Sequence, residues 1–187
     1  GSALLANLLR RPGLQRVLVL GRTDKAGIQD ARITRLHFDA CEPDSIVQAA
    51  SRASEMFGRV HLLINTVGML HSGSQQPEKQ LRSARVGSIE DNRAGGWYSY
   101  RASKAAHNML LKTLALEWKI SHRNTTVVAL HPGTVISGLS KPFLSARYKN
   151  RLLSPDESAE ALLQVISQLQ PQDSGNFYDW QGQPILW

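Results

Sequence analysis

The chain has 187 residues, 42% hydrophobic and 20% charged, and this composition predicts one globular domain, residues 1–187, with a hydrophobic core. No apolar run approaches the ~18 residues of a membrane helix, and the single cysteine, Cys41, excludes a disulfide framework within one chain. The six histidines show no metal-ligand spacing, so no metal site is expected. We expect a cytoplasmic protein with no membrane partner.

The net charge of +7 favours an acidic partner. The 22 Lys and Arg residues are spread along the chain, with no basic helix and no aromatic-interleaved strand. One or two of them would satisfy a nucleotide phosphate. We therefore expect a small-molecule partner and no nucleic acid.

The first third of the chain alternates between helix and strand patterns. In order, the patterns predict a helix at 3–9, strands at 15–21 and 33–38, a helix from Glu42 to Gly58, and the most apolar strand at 60–64. This alternation is typical of an α/β doubly wound parallel sheet.

The second half continues with a long helix at 98–118, a strand at 125–130, a helix that starts at Ser154, and a last strand at 177–180. Ser154 and Glu157 have the spacing of a capping box. The long helix carries apolar residues at helical spacing, namely Ala102, Ala106, Met109, Leu110, Thr113, Leu114 and Trp118.

Tyr100 and Lys104 lie four residues apart in that helix and share one face. A tyrosine pKa near 10 must fall by about three units to suit neutral pH, which needs roughly 4 kcal/mol. A unit charge at about 4 Å in an effective dielectric of about 20 supplies that amount. The residues thus predict a proton donor, Tyr100, activated by Lys104. Ser88, twelve positions earlier, could donate a hydrogen bond to the same reacting oxygen.

Ser88 followed by Tyr100-x-x-x-Lys104 at the start of an Ala/Ser-rich helix resembles the catalytic signature of the short-chain dehydrogenase/reductases. Three flanking segments look like the C-factor-like branch of that family: Ala-Arg-Val-Gly-Ser-Ile, Gly-Gly-Trp-Tyr-Ser-Tyr-Arg-Ala-Ser-Lys-Ala-Ala and Leu-His-Pro-Gly-Thr-Val. The resemblance implies a Rossmann-like fold and an NADP(H)-dependent carbonyl reductase or alcohol dehydrogenase. Tyr100 would donate the proton, Lys104 would lower its pKa and hold the nicotinamide ribose, and Ser88 would orient the carbonyl.

The resemblance also implies a cofactor site. Its residues would be Arg22, Asp39, Ala40, Asn65, Gly68, Tyr100, Lys104, Pro132, Gly133, Thr134, Val135 and Ser137. An arginine after the strand at 15–21 suits a 2′-phosphate, so Arg22 favours NADP(H) over NAD(H). A surface role for Arg22, complicated by the nearby Asp24, and a turn role for Asp39 are the alternatives. Residues 141–153 would form the variable lid over the substrate.

Two segments expected of the family are not seen. Nothing before Gly1 provides the first strand with its Gly-rich turn, and residues 69–85 show no crossover helix followed by a strand. We therefore expect an incomplete Rossmann-like sheet within residues 1–187. Either a longer chain supplies the rest, or the chain is a deletion with impaired cofactor binding.

The helix at 98–118 resembles one that forms a dimer interface in this family, so we expect a homo-oligomer, either dimer or tetramer. The alternative function is a non-catalytic binding or signalling homologue that keeps the fold. Saturable binding of NADPH would separate the two.

Overall fold

A computed structural model of the chain describes residues 1–22, 27–66, 84–93, 95–137, 140 and 151–187. The chain divides into two compact units, Gly1–Met69 and Leu70–Trp187, which are described separately below. Gly68, Asp24 and most of the predicted lid at 141–153 lie outside the described residues.

The first unit contains a parallel pair of strands and two helices. In chain order these are α1 (Ser2–Leu9), β1 (Val17–Gly21), β2 (Ile33–His37) and α2 (Pro43–Met56). Strands β1 and β2 pair in parallel from Val17 opposite Ile33 to Gly21 opposite His37. The sequence predicted each of these elements to within a few residues. Because parallel strands end at the same edge of a sheet, Arg22 and Asp39 both follow strand ends at one edge.

Side-chain contacts fix the ends of these elements. The Arg32 guanidinium donates to the Asp30 carboxylate at 2.7 and 2.9 Å and to the Leu9 carbonyl oxygen at 3.0 Å. It thereby holds the end of α1 against the start of β2. Helix α2 begins at Pro43, whose fixed φ angle suits a first helical turn.

The segment at 60–64, predicted as the most apolar strand, is not a strand. Its side chains are exposed: Val60 by 55%, Leu62 by 44% and Leu63 by 78%. A strand forms only where a neighbour accepts its backbone hydrogen bonds, and no described strand pairs with this segment. Throughout the described residues the strands form three separate two-stranded sheets, which confirms the expected incomplete sheet.

The second unit contains helices α3 (Tyr98–Ser121) and α4 (Pro155–Gln168) with four short strands. These strands are β3 (Ala129–His131), β4 (Thr134–Val135), β5 (Leu152–Leu153) and β6 (Phe177–Asp179). Strand β3 pairs in parallel with β6, and β4 pairs in parallel with β5. The strand predicted at 125–130 is shorter and begins later.

The core of this unit lies where β3 and β6 face α3. Ala129, Phe177 and Ile185 are buried together, and Leu111 of α3 and Trp187 pack against them. The rings of Phe177 and Trp187 lie 5.5 Å apart, which fixes the segment after β6 to the core. None of the described helices combines the length and the hydropathy needed to cross a membrane.

Helix α4 begins as the sequence predicted. Ser154 Oγ accepts from the Glu157 amide at 3.1 Å, and the Glu157 carboxylate accepts from the Ser154 amide at 2.7 Å. The bonds with Ser154 lower the pKa of the Glu157 carboxyl. This reciprocal pair satisfies two amides that the first helical turn leaves without partners.

Helix α3 buries a different face from the one predicted. Met109 and Leu110, assigned to the apolar face, are 65% and 68% exposed, whereas Asn108 and Ala115 are buried. The periodicity correctly indicated a helix, but among the described residues nothing covers the Met109 side.

Candidate active site

Ser88 lies in a tight turn directly after a short 3-10 helix, Ala84–Gly87. Its side chain is 2% exposed, and its Oγ accepts a hydrogen bond from the Asp91 amide at 3.0 Å. An ion pair between Arg85 and Asp91 closes the same turn. The hydroxyl hydrogen of Ser88 remains available, because the oxygen only accepts in that bond.

Two contacts hold this turn in place. The amides of Ile89 and Glu90 both donate to the carbonyl oxygen of Trp187 at 3.2 Å. A Cβ atom at Gly87 would lie 2.7 Å from the backbone carbonyl carbon of Lys104 and 2.8 Å from its Cβ. Only glycine permits this approach, so the turn that carries Ser88 packs directly on α3 at Lys104.

The approach to α3 has an unusual backbone. Gly95, Gly96 and Trp97 have φ angles of 62°, 68° and 60°, in the left-handed region that a tryptophan rarely adopts. The Trp97 side chain is 6% exposed, and its ring meets the Tyr100 ring edge-on at 6.1 Å between centroids. The buried Trp97 ring therefore anchors the first turn of α3 beside Tyr100.

Tyr100 and Lys104 meet as predicted. The Lys104 Nζ atom lies 5.6 Å from the centroid of the Tyr100 ring, over its face. The pKa of Tyr100 is raised by burial, opposite to the lowering that the sequence predicted from Lys104. The ammonium lies over the ring face, and burial is the cause of the raised pKa. Burial and the charge of Lys104 together lower the pKa of His107, one turn further on.

Arg101, to which the sequence assigned no role, bonds to three backbone carbonyls around this site. Nε donates to Gly96 O at 2.9 Å, Nη2 to Gly95 O at 3.1 Å and Nη1 to Val86 O at 3.2 Å. Val86 belongs to the turn that carries Ser88. With Ser88, Arg101 also lines a shallow pocket between that turn and α3. No sequence signal revealed these bonds, because their acceptors are backbone atoms.

The predicted nicotinamide-binding residues form one connected turn after β3. Gly133 has a φ angle of 75°, and a Cβ there would lie 2.7 Å from Leu153 Cδ1 and 2.9 Å from Trp180 Cδ1. Ser158 Oγ of α4 donates to the Pro132 carbonyl at 2.8 Å. Thr134 and Val135 pair with β5, and the Ser137 amide donates to Ser140 Oγ at 2.9 Å.

His131, which precedes this turn, is 7% exposed. Its pKa falls to about 4, chiefly because of burial and secondly because of the charge of Arg85. The imidazole is therefore neutral at physiological pH. Sequence reasoning assigned no role to His131 beyond its place in the motif.

The first unit carries several of the residues predicted to form the cofactor site. Arg22 is exposed directly after β1, and Ala40 and Asn65 are exposed too. The Asp39 carboxylate accepts from the Cys41 amide at 2.9 Å, and the Asp39 amide donates to Ser45 Oγ at 2.9 Å. These bonds support the alternative turn role of Asp39.

No protein-family model matches the chain. A 1-hydroxy-2-glutathionyl-2-methyl-3-butene dehydrogenase of Rhodococcus sp. is 38% identical over 105 residues, which are 56% of this chain and 44% of that protein. The C-signal protein of Myxococcus xanthus is 34% identical over 105 residues, 56% of this chain and 58% of the relative. The chain thus spans about half the length of the curated relatives that it matches.

The solved structures that it resembles include carbonyl reductases. An NADPH-bound carbonyl reductase from chicken fatty liver has a TM-score of 0.76 at 23% identity, with 99% of this chain and 93% of the other covered. The carbonyl reductase Sniffer of D. melanogaster has a TM-score of 0.73 at 20% identity, covering 99% and 94%. At these identities the likeness establishes the fold, which is Rossmann-like as the sequence predicted.

The similarity to C-signal agrees with the branch that the sequence motifs indicated. The dehydrogenase relative matches over a similar length, and the fold is that of solved carbonyl reductases. Taken with the Tyr100 and Lys104 pair on α3, these likenesses agree with the resemblance to the short-chain dehydrogenase/reductases that the sequence motifs carry.

Proposed function

We propose that the protein is an NADP(H)-dependent oxidoreductase that transfers a hydride between the nicotinamide cofactor and a small carbonyl or alcohol substrate. The observation that carries the proposal is the Tyr100 and Lys104 pair, with the ammonium 5.6 Å from the phenol ring centroid. Relatives named dehydrogenase or oxidoreductase support the reaction class.

Tyr100 is proposed as the proton donor in carbonyl reduction. Its hydroxyl is protonated at neutral pH, and burial raises its pKa and so makes it a weaker acid than an ordinary tyrosine. Bound NADPH supplies the hydride to the carbonyl carbon. Lys104 is the cation proposed to stabilise the tyrosinate, and its Nζ atom lies 5.6 Å from the ring centroid.

Ser88 is proposed to orient the carbonyl through its hydroxyl hydrogen. Its Oγ is fixed by the Asp91 amide, so the direction of the remaining donor hydrogen is restricted. The Ser88 side chain is 2% exposed, and Ser88 lines the shallow pocket beside its turn.

Residues in each unit suit part of a phosphorylated dinucleotide. Arg22 is an exposed cation at the carboxyl end of β1, which suits the 2′-phosphate of NADP(H) over the free hydroxyl of NAD(H). Gly133, where a Cβ would lie 2.7 Å from Leu153 Cδ1, presents backbone at the turn proposed for the nicotinamide carboxamide. NADPH and NADP are named in two of the similar structures.

A homo-oligomer, dimer or tetramer, is part of the proposal. Tyr98, Met109, Leu116 and Ile120 recur at helical spacing along α3 and are 78%, 65%, 59% and 79% exposed. Burial of this apolar row against a second copy would remove it from water. The proposed cytoplasmic location rests on the sequence alone.

NADPH consumption by the full-length protein with a panel of aldehydes and ketones tests the proposed reaction. Carbonyl-dependent loss of absorbance at 340 nm, with a lower KM for NADPH than for NADH, is expected. Absence of carbonyl-dependent loss across the panel would contradict it.

A non-catalytic signalling role is the second candidate, favoured by the similarity to C-signal. Direct titration of the full-length protein with NADPH separates the two. Saturable binding is expected of the oxidoreductase, and its absence would favour the signalling role.

A further inference from the structure

We infer that Arg101 is a positioning residue that holds the Ser88 turn and the start of helix α3 in one fixed arrangement. The inference rests on the proposed oxidoreductase function and goes beyond the Ser88, Tyr100 and Lys104 set. Arg101 is next to Tyr100 in the chain, and its guanidinium donates to the backbone of two other segments.

The strongest argument is where the acceptors of Arg101 lie. Gly95, Gly96 and Trp97 follow one another in the left-handed region, with φ angles of 62°, 68° and 60°. All three of their carbonyl oxygens accept hydrogen bonds from Arg101: from Nη2, from Nε and, at 2.7 Å, from its backbone amide. Of the three, only Trp97 is strained by its positive φ angle, since glycine adopts this region freely. The guanidinium fixes the two glycines that lead into Trp97.

The third donor of the guanidinium, Nη1, connects Arg101 to the Ser88 turn. Nη1 donates to the carbonyl oxygen of Val86, two residues before Ser88. The planar group therefore joins the turn carrying Ser88 to the turn from which Tyr100 projects. A change in either bond would alter the distance between the Ser88 and Tyr100 side chains.

The chemistry of arginine explains why this residue type is needed. Its planar fork presents several N–H donors in a fixed geometry and stays charged. A lysine at 101 would keep the charge but offers one compact ammonium, which cannot span the carbonyls of Val86, Gly95 and Gly96 together. Arg101→Lys should therefore remove the hydrogen bonds that connect the Ser88 turn to the start of α3.

The test compares Arg101→Lys with a matched control, Arg93→Lys, in the full-length protein. Arg93 is an exposed arginine in the loop that leads to α3. Both variants keep the charge, so a difference between them reports the geometry of the donors.

The first readout is independent of activity. The protein is labelled with 5-fluorotryptophan, and the Trp97 resonance is assigned from Trp97→Phe. We expect Arg101→Lys to shift or broaden the Trp97 resonance and leave that of Trp180 in place, while Arg93→Lys changes neither. An unchanged Trp97 resonance, or global unfolding of Arg101→Lys, would overturn the inference.

The second readout is kinetic. We expect kcat of Arg101→Lys to fall about a hundredfold, since a misplacement of about 1 Å has an effect of that size, while the Kd of NADPH stays within about twofold. A kcat of Arg101→Lys within about twofold of the wild type would show that the guanidinium hydrogen bonds of Arg101 do not contribute to catalysis. If the wild type itself shows no turnover, the proposed function fails, and the fluorine spectra still decide whether Arg101 holds the turn.

Discussion

Gly87 and Lys104 are in direct backbone contact: a Cβ at Gly87 would lie 2.7 Å from the Lys104 carbonyl carbon and 2.9 Å from its oxygen. The contact brings the turn of Ser88 against the helical turn between Tyr100 and Lys104. A flexible side chain could yield at such a distance, but the backbone of α3 cannot.

Gly87→Ala should therefore destabilise the protein by about 1–3 kcal/mol, the usual cost of overpacking, and lower turnover by moving Ser88. Denaturant unfolding and NADPH consumption measure the two effects. Gly58→Ala is the control, because nothing lies within 4 Å of a Cβ at Gly58. Equal stability of Gly87→Ala and Gly58→Ala would refute the close approach.

Ser88→Ala tests whether the hydroxyl acts on the substrate or only closes its turn. We expect kcat to fall about 10²-fold, as when one positioned donor is removed. We also expect a stability loss of about 1 kcal/mol, since the Asp91 amide loses its acceptor. Reduced stability with unchanged kcat would show that Ser88 has a structural role only.

The pH dependence of turnover should reflect the raised pKa of Tyr100. Carbonyl reduction needs the protonated phenol, so its rate should stay level from neutral pH and decline only above the ordinary tyrosine pKa. Alcohol oxidation needs the tyrosinate and should instead rise with pH over the same range. Rate profiles in both directions measure this, and a decline of reduction near pH 7 would mean that the Tyr100 pKa is lowered.

The buried His131 should make stability depend on pH. Its pKa is about 4 in the folded chain against an ordinary value of 6.5, so the unfolded chain binds more protons between these values. The stability contribution is complete above pH 6.5 and is lost as the pH falls toward 4. The loss is at most about 3 kcal/mol.

Denaturant unfolding from pH 7.5 to 4 measures the effect of His131. His131→Gln cannot titrate, so its unfolding free energy should change less over that interval than that of the wild type. Identical slopes for the two proteins would exclude His131 as the source.

Local signals predicted the elements that local chemistry determines. The capping box of Ser154 and Glu157 and the Pro43 helix start formed as predicted, because their partners lie within a few residues. The Tyr100 and Lys104 contact formed for the same reason, since residues four apart share a helix face.

The predictions that were wrong depended on contacts with residues distant in the sequence, which a local pattern does not contain. The apolar segment at 60–64 needs a hydrogen-bonded neighbour to become a strand, and α3 buried Asn108 and Ala115 rather than the Met109 side. The rise in the Tyr100 pKa came from burial. Arg101 was missed because it bonds to carbonyl groups, which every residue possesses.

The most direct test of the central claim compares Tyr100→Phe with Tyr98→Phe in single-turnover reduction of a carbonyl substrate by NADPH. Tyr98 lies two residues away on α3 and is 78% exposed, so its loss controls for removing a phenol hydroxyl from the helix. We expect Tyr100→Phe to slow the chemical step by about 10²–10⁴-fold, the contribution of general acid catalysis, with Tyr98→Phe unchanged. Equal rates for the two variants would contradict the role of Tyr100 as the proton donor.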